Sequence, residues 1–457
     1  MTTGNGLSKP SAGPTPAPLT RSDMYWYALP GVGVTFLYTL TLVMYMKYTS
    51  DVLLLSSATV GMIMLVSKVW DAVSDPVAGY LSDRTATRMG RRRPWLLGCS
   101  LPLAGFAAML WLPPSGLSEG LTIAWIAVGV FGFYTAYTGF SVPHLALGAE
   151  LTSAAEERNR IFGARTLLSS GGMILTFAVG VALLDSENAQ RNATPLICGV
   201  AALTAISLWL TVWKLPPERA DYSGRGAENP FRAIRDIWRN RRARIVLIVY
   251  FIEMFGVGGI GVLVPFVVEY VLEMPGKSAI FLGVYAVAQI AAIPLWVGLG
   301  DRFEKQNIWL FAMGQSAVGF GLMTLLSAGN WPLMVLSALL AGSAGSCSNT
   351  IGASLKADII DTDEYATGER KEGSFFAAWS FASKLAGGLM LGIVGIALEW
   401  IGYEPNQEQS ASVRDGMLFL MGGLPMIGYG IGMAIFSRFD LKRAEHARIR
   451  GEIDARR

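Results

Sequence analysis

Apolar runs long enough to cross a bilayer recur twelve times along the chain. They cover residues 24–48, 53–81, 94–112, 121–149, 161–184, 194–213, 245–271, 279–299, 307–327, 331–355, 374–400 and 415–437. A hydrocarbon core about 30 Å thick needs roughly 20 residues of helix, so each run predicts one spanning helix. Few runs show the one-sided period of a soluble amphipathic helix, as expected of helices surrounded by lipid and by one another. The polar segment 214–244 is the one long interruption, and it separates six runs from six. The expected organisation is a cytoplasmic tail (1–22), a six-helix bundle (23–213), a middle loop (214–244), a second six-helix bundle (245–437) and a basic tail (438–457). Residues 1–20, rich in Pro, Gly, Ser and Thr, read as a disordered cytoplasmic tail rather than a cleavable signal peptide.

Charge then sets the direction. With the N-terminus in the cytoplasm, 31 of the 37 Lys and Arg residues fall in cytoplasmic tails and loops or, for Arg165, at the cytoplasmic start of a run. Only Lys47, Arg191, Lys277 and Arg414 fall in external loops, and Lys68 and Lys384 lie inside spans. The bias holds in every alternate loop, so the positive-inside rule supports the count as well as cytoplasmic N- and C-termini. Composition agrees: 52% hydrophobic and 16% charged residues, with a mean hydropathy of +0.42, exclude an ordinary soluble domain. A net charge of +3 gives no reason to expect nucleic acid. Two histidines, His144 and His446, and three scattered cysteines, Cys99, Cys198 and Cys347, offer neither a metal cluster nor a disulfide framework. Pro275-Gly276-Lys277-Ser278 looks like the end of a phosphate loop but lacks the upstream glycine and lies outside. No cofactor is expected, and an enzyme ranks last among the readings.

The halves repeat. Gly79-Tyr80-Leu81-Ser82-Asp83-Arg84 follows the second run, and Gly298-Leu299-Gly300-Asp301-Arg302 follows the eighth, at the equivalent place. The fourth and tenth runs end alike, in Ala149-Glu150-Leu151 and Ala357-Asp358-Ile359, each followed by a loop of mixed charge. Parallel repeats of this kind suggest two bundles that rock against each other.

Within the second run, Asp71 and Asp75 stand four residues apart and share one helix face, and Lys68 joins that stripe. Ionisable groups at bilayer depth are costly and mark function by default; an internal staple is the plainer alternative. Counted along the helices, Asp71, Thr138 and Lys384 lie about 17–18 Å from the cytoplasmic helix ends, at one level. Two carboxylates with neighbouring oxygens suit a sodium-like ion, or they could share a proton. Lys384 could neutralise the pair until a cation displaces it.

The Asp-Arg loops and six-plus-six layout resemble the major facilitator superfamily. Trp70-Asp71-Ala72-Val73-Ser74-Asp75-Pro76, the basic Arg91-Arg92-Arg93-Pro94-Trp95, the segment Asp358 to Gly373 and Lys384 more narrowly resemble the glycoside–pentoside–hexuronide:cation symporters, the melibiose-permease-like family. That resemblance implies an all-α membrane protein with twelve spanning helices in two halves, the major facilitator fold. It implies a cation site at Asp71, Asp75 and Thr138, with Ser74 where melibiose permeases have an asparagine. Lys384 matches a lysine near both cation and sugar, and Arg165 an arginine near the sugar pocket. Thr35 and Ser141 stand where those permeases carry sugar-binding aspartates, which argues against a galactoside and leaves sodium and proton both open.

Glu253, ahead of Gly256, Gly258, Gly259 and Gly261, could replace the missing acids or be a hydrogen-bonded acid in a packed interface. His144 reads as a satisfied interhelical histidine, with titration near neutral pH as the alternative. Trp26, Tyr38, Tyr137, Gln289 and Trp379 are candidates for a stacking pocket or for packing. Asp83, Arg84, Arg91, Glu150, Arg158, Asp301, Arg302, Asp358 and Arg370 are expected to form a cytoplasmic gate of salt bridges between the halves, with helix capping and lipid contact as the alternative. Arg232, Arg235, Arg239, Arg241 and Arg242 suggest an amphipathic helix on the inner leaflet. The expected function is symport of a small organic solute, a sugar or glycoside first, with Na+ or H+. A lysolipid or aromatic-acid carrier and a non-transporting receptor or scaffold stay open. The partners are that solute, the ion and the bilayer; a monomer in a bacterial inner membrane is expected.

Overall fold

The structure is a computed structural model describing residues 19–152, 155–184, 189–218, 238–368 and 372–456. Among these residues the chain is helical throughout and forms no sheet. In the first half α1 (Arg21–Ala28) runs into α2 (Pro30–Lys47), followed by α3 (Ser57–Arg84), α4 (Arg93–Trp111), α5 (Glu119–Glu150), α6 (Ala155–Leu184) and α7 (Ala189–Lys214). The second half holds α8 (Arg241–Tyr270), α9 (Ser278–Arg302), α10 (Lys305–Met323), α11 (Trp331–Thr367), α12 (Glu372–Trp400), α13 (Ala411–Leu418) and α14 (Leu424–Phe436). A final helix, α15 (Arg443–Arg456), packs on α11. Among the described residues, ten helical segments are long and apolar enough to cross a membrane. The long helices α3 and α10 are not among those ten. For α3 the reason is visible in its charge, since it alone carries Lys68, Asp71, Asp75, Asp83 and Arg84.

Local chemistry sets the helix ends. Thr20 and Asp23 form a reciprocal capping box at α1. Ser56 caps α3 through the Thr59 amide, and Asn240 caps α8 through two amides. Gly368 ends α11 in the left-handed region, where a side chain would be strained. Two helices widen into single π turns, Tyr48–Val52 after α2 and Phe419–Gly423 between α13 and α14.

Burial runs opposite to a soluble protein. On α3, Val66, Val69, Trp70, Val73, Val77 and Leu81 face outward, whereas Lys68, Asp71 and Ser82 are buried. An apolar exterior over a charged interior is what hydrocarbon surroundings select. Within the first half, α2 packs on α6 and α7, and α4 on α5 and α7. Within the second, α11 holds α9 and α10, and α8 holds α12 and α14. The halves meet along α3 and α12, with smaller contacts of α2 with α8 and of α6 with α9.

Two expected boundaries differ. The run ending at residue 355 continues as helix to Thr367, so Lys356, Asp358, Asp361 and Asp363 are helical rather than in a loop. The apolar count ended where charges began, but a helix needs no apolar side chains once it leaves the hydrocarbon. The basic tail over 438–457 is largely α15, held to Asp361 by an ion pair from Arg450 and a 3.1 Å contact from His446 Nε2. The tail at 1–18 and most of the expected leaflet helix around Arg232 and Arg235 lie outside the described residues.

Candidate functional site

The face of α3 that carries Asp71 and Asp75 meets α5 and α12, and three helices supply one cluster. Thr138 Oγ1, on α5, donates to Asp71 Oδ1 at 2.6 Å and lies 3.1 Å from Asp75 Oδ1. Lys384, on α12, places Nζ 2.5 Å from Asp75 Oδ2 and 3.0 Å from Asp71 Oδ2. Asp71 is wholly buried, while the side chains of Asp75 and Lys384 are about a fifth exposed. The carboxylates and the hydroxyl together offer five oxygens, and the ammonium stands among them where a monovalent cation would stand. Pro76 follows Asp75 directly, so the Ala72 carbonyl beside the carboxylates lacks its helical N–H donor. The donor set is all hard oxygen, which suits an alkali ion or a shared proton.

Lys68 takes a different path from its helix neighbours. It donates to Tyr38 OH at 2.8 Å and stands 4.0 Å from the centre of the Tyr134 ring, a buried cation–π cage. Tyr38 stacks on Tyr137 at 4.6 Å, so α2 and α5 present an aromatic wall beside the carboxylates. Ser74 Oγ bonds the Asp71 backbone carbonyl at 3.1 Å and not a carboxylate. Thr35 and Ser141 are part-buried, three residues from Tyr38 and from Thr138 respectively. Arg165 acts electrostatically on Tyr137 and His144.

In the second half, Glu253 is buried and accepts from Trp309 Nε1 at 2.7 Å and Ser348 Oγ at 2.5 Å. Trp379 is buried against Phe375 and Phe376, and Gln289 bonds Tyr285. Trp26 bonds Ser22 instead of facing the cluster. His144 is bonded to the Tyr27 carbonyl at 2.9 Å and stacked on Tyr27 and Phe140.

Residues 26–443 match the family model described as MFS/sugar transport protein. The chain belongs to this family. The likeness carried by Trp70 to Pro76, Arg91 to Trp95 and Lys384 thus extends over nearly the whole sequence. The transporter is 27% identical to an uncharacterized symporter of Synechocystis sp. over 90% of this chain and 92% of the relative. It is 24% identical to the isoprimeverose transporter of Lactiplantibacillus pentosus over 90% and 86%. A nucleoside transporter of known structure shares the fold, with a TM-score of 0.70 at 14% identity, covering 91% of this chain and 100% of that one. The protein is an integral, multi-pass membrane transporter and not an enzyme.

The transporter's loop charges pair within halves. At the Arg92 end of the bundle, Arg92 joins Asp83 and, at 2.9 Å, Glu150, which Arg91 also meets at 3.0 Å. Glu218 caps the Arg91, Arg92 and Arg93 amides at 2.8–3.0 Å. Arg84 lies over the Tyr80 ring. Asp358 pairs with Lys305 at 2.5 Å and with His446 at 3.7 Å. Each of these contacts stays within one half. Arg302 closes α9 and is exposed. Arg370 and the side chains of Arg158 and Asp301 lie outside the described residues.

Apart from Lys384 with Asp71 and Asp75, the polar contacts described between halves gather at the opposite, Lys47 end, which sequence reading missed. Lys47 bridges Asp51 of its own helix and Glu269 of α8, the latter at 2.7 Å. Tyr270 and Tyr403 both donate to Asp51, and Asn406 Nδ2 donates to the Asp51 carbonyl at 2.8 Å. Glu399 of α12 accepts from Ser56 and from the Ala58 amide. The one available signal was Lys47 and Asp51 spaced i, i+4 at the end of an apolar run.

Proposed function

We propose that the transporter is a cation-coupled symporter that moves a small organic solute of the sugar or glycoside class by alternating access. It would cross a bacterial inner membrane twelve times, in two six-helix halves joined by the 214–244 segment, with both termini cytoplasmic. The distribution of Lys and Arg supports that direction. On this orientation the Lys47 end is external, and the form described is closed to the outside. Salt bridges from Asp83, Arg91 and Glu150 across to Asp358 and its neighbours belong to the opposite form.

The observation that carries the reading is Lys384 held between Asp71 and Asp75. Without a cation, the ammonium compensates carboxylates that would otherwise be buried charges. A cation entering among the five oxygens displaces it, and the freed ammonium can meet solute. Half-loaded states keep an uncompensated charge in the bundle, which disfavours reorientation and couples the two cargoes.

Proteoliposomes with an imposed sodium or proton gradient test this. Wild-type protein should accumulate solute with one of the two gradients. Asp75→Asn should abolish accumulation while leaving solute exchange at equal concentrations measurable. Undiminished gradient-driven accumulation by Asp75→Asn, and by Asp71→Asn with it, would reject cation coupling at this cluster.

A further inference from the structure

Glu253 takes no part in the cation cluster, yet it is a buried acid held by two partners of different kinds. It lies on α8 and is 4% exposed. Oε1 accepts from Trp309 Nε1 of α10 at 2.7 Å, and Oε2 lies 2.5 Å from Ser348 Oγ of α11. Both partners are neutral. An indole N–H can only donate, whereas a hydroxyl donates or accepts. Oε1 is therefore a fixed acceptor, and Oε2 is free to carry a proton. In the ionised form Ser348 donates to Oε2; in the acid form Oε2–H donates to Ser348 Oγ. Both hydrogen bonds survive the change without a heavy atom having to move.

The cation cluster is built differently. One oxygen of each carboxylate there faces the Lys384 ammonium, which can only donate. A proton on Asp71 or Asp75 weakens an ion pair; on Glu253 it weakens none among the described residues.

The charged and titratable groups around Glu253 leave that site to a proton. Lys356 and Cys347 of α11, Tyr429 of α14 and Tyr250, one turn earlier on α8, act on it electrostatically. Lys356 does so without an ion pair, because its Nζ lies over rings, 3.2 Å from the centre of Tyr250 and 5.3 Å from that of Trp379. Tyr285 of α9 acts on Tyr429, which bonds Ser316 of α10. The other helices packed on α8 spend their charges elsewhere: Lys384 of α12 on Asp71 and Asp75, Lys47 of α2 on Asp51 and Glu269, Arg414 of α13 on Glu273. An ionisable group inside a membrane bundle is a functional candidate by default, and proton carriage is among its commonest uses.

We propose that Glu253 is a proton-binding site of the second half, separate from the cation cluster, with the proton on Oε2 and hydrogen-bonded to Ser348. Hydronium delivers the proton to Oε2 and leaves as water; release reverses this. The site goes beyond the symport reading, since a transporter driven by sodium at Asp71 and Asp75 would still carry it.

Infrared spectroscopy of the purified full chain in nanodiscs tests this without any solute. A pH series in D2O is recorded for wild type and Glu253→Gln, whose amide keeps an acceptor for Trp309 and a donor for Ser348. The difference between the two isolates one carboxyl among the 34 acids of the chain. It should contain a carboxylic-acid C=O band that grows reversibly on acidification. The same difference taken on an Asp71→Asn/Asp75→Asn background should show the same band. Ser348→Ala should displace the band and its midpoint pH, because Oε2–H loses its acceptor. No acid band at any pH, a band that stays constant across the series, or one lost on the Asp-neutral background would overturn the proposal. If Glu253→Gln does not fold, Ser348→Ala against wild type decides, and the absence of a displaced acid band overturns it. Undiminished gradient-driven accumulation by the Asp71 and Asp75 variants would instead reject the cation cluster and leave the proton site standing.

Discussion

Thr138 donates one hydroxyl proton into a space bounded by two carboxylates, so it orients both and adds an oxygen to the set. Thr138→Val keeps the shape and removes that oxygen. We expect the cation needed for half-maximal uptake to rise about tenfold, from a lost hydrogen bond to charged groups worth roughly 1.5–3 kcal/mol. A cation titration of uptake checks it, and an unchanged midpoint would remove Thr138 from the cluster. These residues were legible because intramembrane charge is rare and because Asp71 and Asp75 share a helix face. Lys356 was not legible as a buried charge: it lies one position past an apolar run, where a charge reads as loop. Tyr403 and Asn406 were equally hidden, since loop residues that swing onto Asp51 leave no periodic signal.

At the scale of helices, the seam between α3 and α12 is set by glycine. A Cβ on Gly395 would stand 2.8 Å from the Gly61 Cα and would also meet the Ser57 carbonyl. A Cβ on Gly388 would stand 2.7 Å from the Lys68 Cβ, and one on Gly392 2.9 Å from Leu65 Cδ2. Small residues let spanning helices approach closely where packing must drive association. Gly395→Val forces backbone apart and should open the Lys47 end. Thiol labelling of a cysteine placed at Ser50, now buried, should become several-fold faster, and unchanged labelling would show that the seam does not hold that end closed. The apolar runs located these helices well because hydrocarbon imposes one strong constraint. Their polar extensions, such as α11 beyond residue 355, were invisible because that constraint ends at the headgroups.

For the whole molecule, closure at one end is ionic and shared by both halves. Lys47 is buried with a carboxylate from each half, so Lys47→Met leaves Asp51 and Glu269 facing each other uncompensated. Removing one partner from such a group costs about 3–5 kcal/mol in the form that buries it. We expect Lys47→Met to shift the population towards the form open at that end, read as a change in distance between spin labels on Leu54 and Glu404. An unchanged distance distribution would show that packing, not charge, closes it. The repeated Asp-Arg loops pointed to a two-half layout. Which end the chain closes was not, because both forms must be encoded by one sequence.

The α12 helix has a mechanical consequence. It runs from Glu372 to Trp400 with no proline and no widened turn. Its glycine edge reaches from the shut end to Gly388, one turn from the lysine that guards the carboxylates. Door and bolt are thus mounted on one continuous helix. On the symport reading, whatever displaces its shut end also moves the lysine at the carboxylates.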